Sequence, residues 1–233
     1  MQTTSRGLAQ WTPEFARAGI KQRHFFPHRF YCLPKCGPDG YRLARGMCRA
    51  RDPAQLWQIV LFAADSVVAE FPTELFFDDD VMWHQQHINR PGQIASVTVA
   101  IVHETLYSMA HQSDLVQRIS RRRELKTRIE KVFNGWHRLL LNALANFAIA
   151  KGCRQLKIPT SALAMRYTDR RRTVRPELFE RVYDRAVNHQ FRAIQADGWW
   201  TIDLSVNRDA VITAIPQIEK IRSPKTICLF HDT

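Results

Sequence analysis

The chain has 233 residues, 45% of them apolar and 24% charged, enough for one sizeable domain with an ordinary hydrophobic core. Lys and Arg number 34 against 22 Asp and Glu, a net charge of +12, which favours an anionic partner: nucleic acid, a polyphosphate cofactor, an acidic glycan or a membrane surface. No apolar run approaches the roughly 18–20 residues of a membrane span. The opening MQTTSRGLAQWTPEF has neither an apolar core nor a small-residue cleavage pattern, so the expectation is a cytoplasmic protein with no membrane partner. Five cysteines do not suggest a disulfide framework in a chain this long.

Residues 1–20 are polar and uneven and read as a loosely held lead-in. In Lys21–Cys36, KQRHFFPHRFYCLPKC, aromatic residues alternate, which reads as an extended segment broken by Pro27 and Pro34. Gly37-Pro38-Asp39-Gly40 marks a turn, and Tyr41–Arg49 reads as a short strand. Asp52, Pro53 and Gln55 then supply a cap, a first helical position and a capping-box amide. Leu56, Ile59, Val60, Ala63, Ala64 and Val67 come next at helical spacing, so a helix is expected to end before Pro72. Ile94–Val102 is β-rich and continuously apolar or small, as a central strand is. Glu104–Met109 is its expected hairpin partner.

Asp114–Glu130 carries Arg118, Arg121, Arg122, Arg123, Lys126 and Arg128 and reads either as a strand with a basic loop or as a charged helix. Gly135–Lys151 is the clearest helix, with Leu140, Leu144, Phe147 and Ala148 in one stripe and Gly152 to stop it. Arg154–Ile158 reads as a strand, and Arg166–Arg175 as a basic loop. Pro176 opens a further helix with Glu177 and Glu180 in its first turn, burying Phe179, Val182, Tyr183 and Ala186. Gly198 precedes a strand, Trp199–Val206, with Ala210–Ala214 as its antiparallel partner. Lys225–Thr233 reads as a buried strand ending in His231-Asp232. It is either the last strand of the same sheet or, by a weak resemblance to the first strand of a polysaccharide deacetylase domain, the start of a further catalytic domain.

This order of elements resembles the GNAT N-acetyltransferase superfamily. YRLARGMCRARDPAQLWQIV is similar to the family's opening strand and first helix, and IASVTVAIV to an early central strand. GWHRLLLNALANFAIAKGCRQLKI resembles its cofactor-binding helix and following strand, and ELFERVYDRAVNHQFRA with GWWTIDL its late helix and closing strand. The resemblance runs from about Tyr41 to Ala214. It divides the chain into an N-terminal extension (1–40), a GNAT-like acyltransferase domain (41–215) and a C-terminal segment (216–233). It implies an α+β fold, with a central mixed, mostly antiparallel twisted sheet flanked by helices, and acetyl-CoA or another acyl-CoA as cofactor.

The family's cofactor loop falls on Lys131-Val132-Phe133-Asn134-Gly135-Trp136-His137, where His137 stands at the loop's second small position. A helix N-terminus presents unpaired N–H groups and partial positive charge. Phe133, Asn134, Gly135, Trp136, His137, Arg138 and Lys131 are therefore the candidate cofactor-binding residues. The resemblance also implies Tyr183 as the acid that protonates the departing thiolate. Glu104 and His111, on or beside the central strands, are candidate bases for the amine acceptor.

The run Phe76–His87 holds three carboxylates and two histidines. It could bind a divalent metal, but no carboxylate has zincin spacing. The alternative is an acceptor pocket formed by Asp79, Asp80, Trp83, His84 and His87, for a small-molecule or glycan amine. His24, His28, Cys32 and Cys36 recur every four residues, a zinc stripe if helical, although Pro27 and Pro34 oppose a helix. The two basic clusters could track a nucleic-acid backbone, but no DNA- or RNA-binding motif accompanies them. Two readings stand. The first is an acyl-CoA-dependent transferase acting on an amine. The second is a non-catalytic domain of the same fold that binds a partner chain or an anionic polymer.

Overall fold

A computed structural model of the chain describes residues 8–34, 38–50, 52, 55–72, 92–113, 123–167, 176–212 and 218–220. In these, helix α1 (Pro13–Arg17) and a 3-10 turn (Gln22–His24) lead into β1 (His28–Pro34), then α2 (Pro38–Cys48), β2 (Leu56–Ala63) and the short α3 (Asp65–Val68). The hairpin β3 (Gln93–Val102) and β4 (Thr105–Ser113) comes next, then α4 (Lys126–Phe133), α5 (Trp136–Ala150), β5 (Gln155–Pro159) and α6 (Ser161–Arg166). A continuous helical run comprises α7 (Pro176–Phe179), a π-helical turn (Glu180–Arg185) and α8 (Ala186–Gln190). The hairpin β6 (Ala193–Ala196) and β7 (Trp199–Asp203) and the two-residue β8 (Glu219–Lys220) complete the elements.

The strands form one eight-stranded sheet in the order β6-β7-β5-β4-β3-β2-β1-β8. Neighbours are antiparallel except β4 with β5 and β1 with β8. This is the mixed, mostly antiparallel sheet flanked by helices that the sequence predicts. Ile59, Leu61, Val97, Val99, Leu106, Leu156 and Ile202 belong to the main core, which also holds the apolar stripe of α5. On the opposite face, Ala44 and Cys48 of α2 pack on Leu56, Ala100 and Met109.

Three elements differ from the sequence reading. Tyr41–Cys48, most of the expected strand Tyr41–Arg49, lies in helix α2: Leu43, Ala44, Met47 and Cys48 recur at helical spacing and cover β3 and β4. Leu56–Ala63 is a strand, not a helix, because it pairs along its length with β1 on one side and β3 on the other. A short run that is buried on both faces has no period by which to distinguish the two forms. The partner of β7 is β6, not Ala210–Ala214; Arg208–Ala210 is a 3-10 turn. The ambiguous stretch after Asp114 becomes a 3-10 turn at Arg123–Leu125 and helix α4, with 114–122 outside the described residues.

Residues 8–32, which span most of the expected lead-in and the extended segment after it, are integral to the core. Phe15, Ile20, Phe26 and Phe30 are at most 1% exposed, and β1 is a full strand of the sheet. Four phenylalanine rings, Phe15, Phe25, Phe26 and Phe30, meet the His28 imidazole edge-on. No helix among the described residues is long and apolar enough to cross a membrane.

Candidate functional site

The two parallel strands β4 and β5 are joined through α4 and α5. Their ladder covers Thr105–Tyr107 against Gln155–Lys157 and ends there, while β4 continues to Ser113. The carboxyl end of a parallel pair that parts in this way is the usual position of a ligand crevice in such sheets.

A bulge shapes β4 beyond this point. The β3–β4 register pairs Val99 with Ser108 but Thr98 with Ala110, so Met109 is the extra residue. In a regular strand, residues three apart face opposite sides. The extra residue turns His111, the partner of Val97, to the same face as Ser108. Ser108 Oγ and His111 Nε2 are in consequence hydrogen-bonded to each other.

Tyr183 comes to the same place from the π-helical turn. Its hydroxyl accepts a hydrogen bond from the His111 backbone N–H at 3.0 Å. Its ring lies 4.7 Å from the His111 ring and stacks on Phe179 at 5.7 Å. A π turn widens the helix by one residue and commonly marks a functional position. Asp184 anchors this turn, one carboxylate oxygen accepting from the Ser161 backbone N–H at 3.0 Å and from Trp200 Nε1–H at 2.7 Å.

Burial holds three of the groups here neutral at physiological pH. Burial pushes Tyr183 up to about 12 and His111 down to about 3. Burial, followed by the positive charges of Arg138 and Arg181, brings His137 to about 3. His111 Nδ1 is buried and has no hydrogen-bond partner among the described residues. The crevice thus offers a proton donor in Tyr183 and two neutral imidazoles at physiological pH.

The candidate residues separate into three groups. Tyr183 and His111 meet, and His137 lies within electrostatic reach of His111. Burial lowers His111 to about 3, which makes it a weak base for the role expected from the sequence. Glu104 does not join this cluster. It lies in the turn before β4, roughly 20 Å from His111 at strand rise, exposed, with Oε2 paired to Arg154 Nε at 2.9 Å. Asp79, Asp80, Trp83, His84 and His87 lie outside the described residues.

The cofactor-loop candidates are mostly covered. Phe133 is core, Gly135, Trp136 and His137 are buried, and Lys131 and Asn134 are exposed. Gly135 faces the N-terminal segment, since a Cβ added there would lie 2.9 Å from the His24 carbonyl oxygen. His24 Nδ1–H in turn donates to the Lys131 carbonyl at 2.9 Å. A carbonyl oxygen therefore occupies the face where a phosphate oxygen was expected.

The four-residue His/Cys stripe is not helical either. His24 is in a 3-10 turn, and His28 and Cys32 are in β1. Cys36 lies outside the described residues, among which no group of three or more His, Cys, Asp or Glu is placed to hold a metal.

Sequence reasoning missed Ser108, Arg181 and Asp184. Ser108 and His111 could be joined only by knowing that a bulge lies between them. Asp184 acts through partners 16 and 23 residues away.

Comparison of the chain with protein-family models, with curated proteins and with solved structures gives no match. The site is therefore read from its own geometry.

Proposed function

We propose that the chain is an acyl-CoA-dependent N-acyltransferase of GNAT type, moving an acetyl or other short acyl group to an amine on a small molecule or glycan. The observation that carries this reading is the Tyr183 hydroxyl, seated on a β4 backbone N–H where β4 and β5 part. A thioester lying in that crevice beside β4 presents its sulfur to this hydroxyl. The amine nitrogen would bond to the carbonyl carbon as the carbon–sulfur bond breaks, Tyr183 would give its proton to the departing thiolate, and the proton lost by the acylated nitrogen would return through solvent to the tyrosinate. Burial keeps Tyr183 protonated to about pH 12, so the donor form is present at neutral pH, as a weak acid. His111 is a positioning residue here, its backbone N–H holding the phenol in place. The acceptor must arrive as the free amine, because no strong base adjoins Tyr183 among the described residues. A cytoplasmic setting, where acyl-CoA is made and used, suits this activity.

The test is thermal stabilisation of the full chain by acetyl-CoA and longer acyl-CoAs, followed by thiol release against a panel of amines. Stabilisation and thiol release support the proposal. No stabilisation by any acyl-CoA, together with no thiol release, sinks it.

One observation favours the second reading, a non-catalytic domain of this fold that binds a partner protein, nucleic acid or acidic glycan. Tyr183 is 4% and His137 6% exposed, so the crevice is tightly closed, while the chain carries +12. Salt-dependent binding of RNA, DNA or an acidic glycan without any acyl-CoA binding is its signature.

A further inference from the structure

Beside the first turn of α5 lies a groove of about 420 Å³, lined by Trp11, Ala16, Gly19, Lys21, Gln22, Arg138 and His189. Three separate pieces of the chain build it: the N-terminal segment, α5 and α8. Its volume is within the ~300–1,000 Å³ of small-molecule sites. No carboxylate is among the lining residues, whereas Lys21, Arg138 and His189 all are.

The polar heads converge on one spot. A Cβ on Gly19 would overlap both Arg138 Nη1 and His189 Nε2. Gly19 also adopts φ +75°, so the groove floor requires glycine both for its backbone and for the room it leaves. Arg138 Nη1 donates to the carbonyls of Ala18 and Gly19, which fixes the guanidinium. No carboxylate among the described residues neutralises it.

The two carbonyls offset only part of the cost of placing Arg138 here. It stands in the first turn of α5, a turn that contains no acidic residue and where the helix dipole already disfavours a cation. It is half-buried, and that burial lowers its pKa. An anion in the groove would offset both costs. Trp11 adds a flat apolar wall, held by its contacts with Phe15 at 5.9 Å and Phe25 at 5.6 Å.

We propose that this groove binds the phosphate-and-ring part of a nucleotide-type ligand, with phosphate on Lys21, Arg138 and His189 and the planar base against Trp11. Two sources share that chemistry: the nucleotide end of an acyl-CoA and a free nucleotide. The first identification rests on the acyltransferase reading; the groove's own preference does not. His137 and Arg138 are adjacent, so a ligand with its phosphates here and its thioester at Tyr183 passes over the first turn of α5.

The experiment is calorimetric titration of the full chain with adenosine 3′,5′-bisphosphate, ADP and inorganic phosphate. It is repeated on Lys21→Glu, an exposed position, and on Arg138→Gln, with thermal unfolding as the folding control. The expected result is nucleotide binding that weakens roughly tenfold in Lys21→Glu and also weakens in Arg138→Gln. Tighter binding of the bisphosphate than of ADP identifies the acyl-CoA source, and the reverse a free nucleotide. The proposal is overturned if neither nucleotide binds at millimolar concentration, if Lys21→Glu binds as the wild type does, or if phosphate alone binds as tightly as the nucleotides. Groove-dependent nucleotide binding in a chain that releases no thiol from any acyl-CoA removes the acyltransferase reading and leaves the groove standing.

Discussion

Replacing Tyr183 with Phe removes one oxygen and separates the structural from the chemical role of the crevice. The ring keeps its stack on Phe179, so packing changes little. The His111 backbone N–H, however, loses its acceptor at a position where the tyrosine is 4% exposed. A buried N–H left without a partner costs about 1–3 kcal/mol. For a domain of this size that is a fall of roughly 2–10 °C in Tm. Differential scanning calorimetry measures the fall, and hydrogen exchange at the His111 amide locates it. Under the acyltransferase proposal, kcat for thiol release also falls by about 10²–10⁴-fold, the usual worth of a positioned acid. An unchanged Tm with unchanged exchange at His111 refutes the hydrogen bond. A stability loss with full transferase activity refutes the acid.

Asp184→Ala unties the π-helical turn from Ser161 and Trp200. The expected loss is about 2 kcal/mol, typical of a bond to a charged acceptor, read as a lower urea midpoint; an unchanged midpoint would show that the tether holds nothing. Gly135→Ala puts a Cβ 2.9 Å from the His24 carbonyl, and faster proteolysis within residues 8–24 is expected, whereas wild-type resistance counts against that contact. The pH dependence arises from three buried histidines, His28 held down at about 4 and His111 and His137 at about 3. Their unfolded value is near 6.5, so as pH falls below that the unfolded chain takes up protons first and stability drops until the folded values are reached. His28 alone accounts for roughly 3 kcal/mol of this loss by pH 4. A urea midpoint that is flat between pH 7 and 4.5 contradicts the buried neutral imidazoles.

The long helix, the β3–β4 hairpin and β5 were legible in the sequence because each carries a complete signal. α5 has a stripe closed by Gly152, and β3 and β4 have β-rich runs about a short turn. The α2–β2 region misled because local and tertiary cues conflict. Gly46 is a poor helix former, yet α2 runs through it, where it packs against the Tyr167 ring, whose hydroxyl donates to the Gly46 carbonyl. Asp52, Pro53 and Gln55 look like a helix start, but Leu56–Ala63 is claimed by two neighbouring strands. At the site, Tyr183 and His111 could be named singly and not as a pair, since 72 residues separate them. The covering of Gly135 by the N-terminal segment left no mark in the local text. Only the packing of Ile20 and His24 on that glycine reveals it.

The single extra residue Met109 has a consequence for how β4 tolerates change. A strand is a two-beat pattern, and one added beat inverts everything downstream. Before Met109 the even-numbered positions look toward α5; from Ala110 onward the odd-numbered ones do. The meeting of Ser108, His111 and Tyr183 is therefore a matter of parity as much as of residue type. Point substitutions along β4 can leave the crevice chemistry intact. Loss or gain of one residue between Ser108 and His111 would turn the imidazole to the α2 face with every side chain still present.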